Sequence, residues 1–162
     1  MSVRQVRSPD SSDSSGRAPQ SGFGTGVSTE EAIEVAAGLV FRSGSVLIAQ
    51  RRSGDPLAGY WEFPGGKRQP GETPQDCLQR ELQEELGIEV EVQALVAEIE
   101  YAYPDRRVRL QFFQCQWRNR EPQALDCQAF AWVTRDQIGN FPFPPADAQI
   151  LQRLQTDSAF CW

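Results

Sequence analysis

Residues 66–88 read GKRQPGETPQDCLQRELQEELGI, and the fold is decided there. A glycine turn leads through Glu72 into a helix whose ends are both marked. Thr73 suits the N-cap because its hydroxyl can accept one of the backbone N–H groups that a first helical turn leaves free. Pro74 has the backbone angle that the first helical position wants, and Asp76 complements the positive end of the helix dipole. Leu78, Leu82 and Leu86 recur every four residues as one apolar stripe, and Gly87 stands where a left-handed residue closes a helix. Beside that stripe, Glu81 and Glu85 lie one above the other, and Glu84 occupies the neighbouring edge of the same arc. Crowded carboxylates repel unless a cation neutralises them, so the pattern implies a hard divalent metal, and phosphoryl transfer is the reaction most often run on such metals. The loop before the helix offers backbone carbonyls as further oxygen ligands. Arg80 is placed to pair with Glu72 or Glu84 and hold that loop against the helix.

Working outward, 32–41 and 45–49 are apolar-rich runs separated by the turn signal Ser43-Gly44, which predicts a hairpin. Gly54, Asp55 and Pro56 mark the stretch from Arg51 to Gly59 as a loop, and Trp61-Glu62-Phe63 reads as a short extended piece. Residues 90–103 and 108–117 read as strands around Pro104-Asp105. In the second of these the apolar phase slips between Phe112 and Phe113, which a bulge or burial on both faces would produce. A shorter strand over 130–134 follows, and the apolar spacing at 146, 150, 151 and 154, after Pro144-Pro145, is helical. Strands and helices mix without strict alternation, which predicts a mixed sheet with helices packed against it.

The 162 residues suit one domain with a real core, placed at 30–158, and 40% hydrophobic content is in the globular range. Residues 1–29 are Ser, Gly, Pro, Asp and Arg with few large apolar side chains, a composition that predicts a disordered tail. A net charge of −6 disfavours binding to a nucleic acid polymer, and no apolar run is long enough to span a membrane. The absence of histidine removes imidazole acid–base chemistry and Ser-His triads. Cys77, Cys115, Cys127 and Cys161 have no paired spacing; Cys77 and Cys115 read as packed thiols, and a reducing cytoplasm is the simplest compartment.

The stretch resembles, at every defined position, the box of the Nudix hydrolases: Gly66, Glu72, Arg80-Glu81-Leu82, Glu84-Glu85 and Gly87-Ile88. Similarity to the MutT branch extends to Trp61-Glu62-Phe63-Pro64-Gly65-Gly66-Lys67, to 100–106 and to 143–147, so that about residues 32 to 156 are covered. The resemblance implies an α/β/α sandwich around a mixed sheet, and a Mg²⁺- or Mn²⁺-dependent attack of water on the β-phosphorus of a nucleoside triphosphate. By the same resemblance the Gly65 carbonyl, Glu81, Glu84 and Glu85 are the metal ligands, and Glu81 orients or deprotonates the water. Arg51 and Arg106 are implied substrate contacts, and Glu62, Phe63 and Pro64 line the nucleotide pocket.

The chain departs from the branch at two places. MutT-type enzymes often carry a metal-binding glutamate just before the tryptophan that Trp132 resembles; here that residue is Ala131, and Asp126 is the nearest acid upstream. The type member of the branch also has an asparagine where this chain has Asp147. An amide serves the O6 and the N7–H of 8-oxoguanine at once, whereas an ionised carboxylate only accepts and suits an amino group such as cytosine N4. A protonated Asp147, which requires burial, recovers the 8-oxoguanine pairing. As an alternative to base reading, Asp147 is a candidate helix N-cap. The expected substrate is 8-oxo-dGTP, with CTP or 5-methyl-dCTP as the alternative. A non-catalytic Nudix-fold sensor is a third possibility, and such modules usually lack the box carboxylates that are all present here.

Overall fold

The structure, a computed structural model, describes residues 31–162; the tail expected over 1–29 lies outside the described residues. The Ser43-Gly44 hairpin forms as β1 (Ile33–Arg42) and β2 (Ser45–Gln50), with Phe41 opposite Val46. β3 (Trp61–Glu62) and β4 (Gly65–Lys67) precede α1 (Pro74–Leu86). After it come β5 (Glu89–Tyr103), β6 (Arg106–Asn119), β7 (Ala129–Thr134), 3-10 turns at Ile138–Asn140 and Pro145–Asp147, and α2 (Ala148–Thr156). The helix expected from 146 therefore begins two residues later, because Ala146 and Asp147 belong to the tighter 3-10 turn.

Among the described residues one sheet joins seven strands in the order β3-β2-β1-β6-β5, with β4 also on β1 and β7 also on β2. β1 runs parallel to β6, and the other pairings are antiparallel. The sheet is thus mixed, and its two faces are covered by different helices. Ala37, Leu39 and Ile48 pack with Ile150 and Leu154 of α2 on one face. Ala36, Val40 and Leu47 pack with Leu78, Leu82 and Leu86 of α1 on the other. The three leucines are fully buried, as their spacing predicts, and removing any one to alanine costs about 2–5 kcal/mol.

The phase slip in β6 resolves as burial on both faces. Phe112 belongs to the core under α2 and Phe113 to the core under α1. β6 itself stays regular, pairing with β1 without interruption from Ile33–Val108 to Phe41–Gln116. The ladder to its other neighbour, β5, shifts register between Val92 and Leu95 and between Leu95 and Ala97, with the extra residues on β5, and between Glu89 and Val90, with the extra residue, Arg118, at the end of β6. Alongside the stretch of β6 that pairs with β1, the extra residues are taken up by the edge strand, where a bulge disturbs one ladder rather than two.

Both caps of α1 form. The Thr73 Oγ1 accepts from the Asp76 N–H at 3.0 Å. Gly87 is left-handed at φ 68° and its N–H returns to the Gln83 carbonyl at 3.0 Å. Together they fix where the helix starts and stops, and so which way its glutamates point.

Candidate active site

A cavity of about 490 Å³ opens where β1, β3, β4 and β6 meet the start of α1's acidic face, a volume suited to a nucleotide-sized ligand. Val35, Ala37, Val108 and Leu110 contribute apolar lining from the adjacent strands β1 and β6. Glu81, Glu85 and Asp126 stand at one end, called here the acid end. Phe63, Pro144, Ala146 and Asp147 belong to the other, the base end, and Glu62 stands between, close enough to raise both Glu85 and Asp147.

At the acid end, β4 brings the chain so close to β1 that only glycine fits. A Cβ on Gly65 would sit 1.9 Å from the Ala36 carbonyl oxygen, and one on Gly66 would sit 2.3 Å from the Glu81 carboxyl carbon. Beside the Gly65 backbone stands Glu85, a buried acid with 8% exposure. Burial, with Glu62, Glu81 and Asp126 nearby, pushes Glu85 up to about 9. Glu81 is also raised, by burial first, against the pull of Arg80. Arg80 is the hub of the helix. Its Nε meets Glu72 at 2.7 Å, and its Nη1 meets Glu81 at 2.9 Å and Glu84 at 3.2 Å. Its Nη2 also donates to the Lys67 carbonyl at 3.3 Å, which ties the helix to β4 as well as to the Glu72 loop that the sequence predicts. The Arg80 hydrogen bonds, helped by the Gln69 N–H, hold Glu72 down at about 2.

The base end is sewn from two distant segments. The Trp61 N–H donates to the Pro142 carbonyl at 2.8 Å, and the rings of Trp61 and Phe63 pack on Phe141 and Phe143 with centroids 5.0 and 5.2 Å apart. This places Glu62 and Asp147 in one wall. Arg51 Nη1 pairs with Glu62 at 2.7 Å, and its Nε donates to the Pro56 carbonyl at 2.6 Å. Burial nevertheless raises Glu62, with Arg51 opposing. Asp147 is 7% exposed, and its side chain makes no capping hydrogen bond to α2. Burial, reinforced by Glu62 and opposed by Arg51, pushes it up to about 7.

The NUDIX domain family matches residues 36–153. The chain belongs to that family, as a MutT-like Nudix hydrolase. It is 38% identical over 120 residues to the CTP pyrophosphohydrolase of Escherichia coli (strain K12), covering 74% of this chain and 89% of that one. It is 33% identical over 124 residues to the 8-oxo-dGTP diphosphatase of the same organism, covering 76% and 96%. A solved MutT structure from work on Aliivibrio salmonicida and Vibrio cholerae superposes with a TM-score of 0.65 at 27% identity, covering 77% and 97%.

This Nudix hydrolase brings Arg51, Glu62, Phe63, Gly65, Glu81, Glu85, Arg106 and Asp147 to the cavity. Two of the residues singled out by sequence stand outside its lining. Glu84 is exposed on the far side of Arg80, and Pro64 offers its carbonyl to the Gly38 N–H of β1 at 2.8 Å. Phe63 serves both core and cavity, buried against Phe112. Arg51 is occupied by Glu62 and the Pro56 carbonyl, a partner of the wall rather than a free cation.

Lys67, Tyr103, Asp126 and Cys127 also line the cavity, and no sequence pattern assigns them a role there. Asp126 is brought beside Glu85 because its N–H and that of Leu125 both donate to the Glu85 carbonyl at 3.0 Å. Its carboxylate is held by Arg52 at 2.6 Å. The signal available in sequence was an acid in the segment ahead of the Trp132 strand, without the contact that fixes its distance. Cys127 stands next to these acids, and burial followed by Glu85 and Asp126 pushes its thiol up to about 11, which leaves it un-ionised and unreactive.

Nudix hydrolases generally require a divalent metal ion. Among the described residues, no three His, Cys, Asp or Glu side chains converge closely enough to hold a cation as they stand, and Arg80 keeps Glu81 and Glu84 to itself. The donor set nevertheless fits a hard cation: all of the candidates are oxygen ligands, and Glu85 is a buried acid crowded by Glu62, Glu81 and Asp126. No helix among the described residues is long and apolar enough to cross a membrane.

Proposed function

We propose that this Nudix hydrolase converts 8-oxo-dGTP to 8-oxo-dGMP and pyrophosphate, using Mg²⁺ (or Mn²⁺), and so removes a mutagenic precursor from the cytoplasmic nucleotide pool. The observation that carries the base assignment is Asp147, buried in the cavity wall, uncommitted to α2, and raised to about 7. The protonated form that burial favours offers both a donor and an acceptor on one edge. The 8-oxoguanine edge needs that pair, with O6 accepting and N7–H donating. The relative named 8-oxo-dGTP diphosphatase, aligned over three quarters of the chain, supports the same substrate.

The residues would divide the work as follows. Gly65, through its carbonyl, with Glu81, Glu84 and Glu85 would hold the cation, and Asp126 supplies an acid on the wall where Ala131 cannot. Bound there, a divalent ion would polarise phosphoryl oxygens and lower the pKa of a nearby water. Glu81 would orient that water and take its proton. The water oxygen bonds to the β-phosphorus, the bond from that phosphorus to the α–β bridging oxygen breaks, and the bridging oxygen leaves with the nucleoside monophosphate. Arg106 and Lys67 offer positive charge to the phosphates of an anionic substrate, in a chain whose net charge would otherwise repel it.

A second reading is hydrolysis of CTP or 5-methyl-dCTP. It is favoured by the 38% identity to a CTP pyrophosphohydrolase, and by the fact that ionised Asp147 accepts from a cytosine amino group. The test is a Mg²⁺-dependent hydrolysis panel of 8-oxo-dGTP, dGTP, CTP and 5-methyl-dCTP with products identified. A highest kcat/KM for 8-oxo-dGTP, with monophosphate and pyrophosphate formed, supports the first reading. A higher value for a cytosine nucleotide replaces it with the second.

A further inference from the structure

Two arginines follow β2 in sequence, and the structure commits them differently. Arg51 is taken up in the cavity wall, by Glu62 at 2.7 Å and by the Pro56 carbonyl at 2.6 Å. Arg52 also lines the cavity, and among the described residues its side chain has one ion-pair partner, Asp126, at 2.6 Å. Both members of that pair are about half exposed, at 52% and 60%.

Their backbones are held while their side chains have room to turn. The Arg52 carbonyl accepts from the Asp55 N–H at 3.2 Å, and the Asp126 N–H donates to the Glu85 carbonyl at 3.0 Å. The pair they make is weak. An exposed ion pair contributes about 1 kcal/mol or less, because water screens it and two side chains must be immobilised to form it. Arg80 is the contrast. It is only a quarter exposed, it is shared by Glu72, Glu81 and Glu84, and it also reaches the Lys67 carbonyl, so it is locked to α1 and β4. Between these two arginines, Arg52 is the one that can let go of its acid.

Asp126 stands beside Glu85, at the end of the cavity whose oxygen donors suit a hard cation. A guanidinium and a dication drawing on one carboxylate repel each other. The phosphates of a nucleotide bring the opposite charge into the same cavity, and a guanidinium pairs with phosphate oxygens two at a time.

We propose that Arg52 is an exchangeable substrate-binding residue: it competes with the divalent cation for Asp126, and once displaced it turns to the phosphates of the substrate. One side chain thereby links cation binding to phosphate binding. The inference rests on the reading of Asp126 as an acid of the cation site, and is independent of which base the cavity takes.

The test joins Mn²⁺ binding to the full chain without nucleotide, by titration calorimetry, to steady-state kinetics at saturating Mg²⁺. In Arg52→Gln, Mn²⁺ binds about twofold to fivefold tighter, the scale of an exposed pair that no longer has to be displaced. In the same variant, KM for the triphosphate preferred in the substrate panel rises ~10-fold, the loss of one charge-assisted hydrogen bond. The two affinities move in opposite directions, whereas a purely structural arginine would weaken both or neither. Arg52→Lys brings KM back to within about threefold of wild type, since the charge is kept and only the planar fork is lost.

Asp126→Asn decides the route. It weakens Mn²⁺ binding several-fold, and in its background Arg52→Gln no longer tightens Mn²⁺. Unchanged Mn²⁺ affinity in Asp126→Asn overturns Asp126 as an acid of the cation site, and this inference with it, while the substrate panel still stands. Weakened binding in Asp126→Asn without tightening in Arg52→Gln overturns the exchange alone. Tightening that persists in the double variant would reduce Arg52 to a general charge effect, and an unmoved KM in Arg52→Gln would remove it from the substrate.

Discussion

The acid end and the base end of the cavity are built from the same side chain, a carboxylate, and neutralise it in opposite ways. At the acid end the glutamates share Arg80, and Glu85 is left without a cation among acids, a charge pattern suited to filling by a dication. At the base end Glu62 and Asp147 share Arg51, and the balance is made by a proton, with Asp147 pushed up to about 7. Burial alone therefore does not decide what a carboxylate does. On the proposed reading, what decides it is whether the surplus charge is balanced by a bound cation or by a proton.

The sharpest way to break this contrast is Glu85→Gln, nearly isosteric and neutral. Turnover is expected to fall roughly 10³-fold, with the metal-free melting temperature unchanged and the rise in melting temperature on adding Mg²⁺ lost. Steady-state kinetics and paired melts check it, and full Mg²⁺-dependent turnover would remove Glu85 from the acid end. At the other end, Asp147→Asn should leave Mg²⁺ affinity alone and shift the kcat/KM ratio towards 8-oxo-dGTP and away from CTP by ~10-fold or more. An unshifted ratio in the substrate panel would turn Asp147 into a purely structural residue.

A subtler test uses pH. Asp147 moves from an ordinary 3.8 up to about 7, so its contribution to stability is fully present below about 4 and is lost as pH rises through about 7. On the proposed reading of Asp147 the same titration sets the base preference, which should move from 8-oxo-dGTP towards cytosine nucleotides between about pH 6 and pH 8. Asp147→Asn should flatten both profiles, and a wild-type preference independent of pH would dissociate the proton from base reading. The smallest effect is expected at Thr73→Ala, which removes the α1 cap, costs about 1 kcal/mol in denaturant melts and leaves base preference untouched. A change in preference there would mean that the two ends are mechanically coupled through α1.

The acid end was legible because one helix carries it. Thr73, the leucine stripe and Gly87 fix the phase of α1, and the phase fixes which sides Glu81, Glu84 and Glu85 occupy. Their fates then diverge for reasons outside the helix: Gly65 and the segment at Asp126 close over Glu85, while Glu84 stays exposed beside Arg80. The base end was legible only in part. Its residues come from the loop after β2, from β3, from the tip of β5 and from the turn before α2, and no periodicity relates them. Sequence pointed to Arg51 as a substrate contact, and the pairing with Glu62 that occupies it depends on how the Arg51–Gly59 loop folds back. Likewise β4 is only three residues long and is strand because β1 lies beside it, which glycine spacing alone does not announce.

The parallel pairing of β1 with β6 has a consequence for how the molecule is made. Ile33 meets Val108 about 75 positions along the chain, and α1 lies within the loop that this contact closes. The α1 turn and the β5–β6 hairpin are local and form on microsecond scales, while the central contact pays the loop-closure entropy of everything between. Together with the β2–β7 pairing, from Ser45–Thr134 to Gln50–Ala129, this contact makes non-local docking the slow part of folding. The cavity comes into being only with that event, so recovery of hydrolysis should track the slowest folding phase, after most helical signal has already returned.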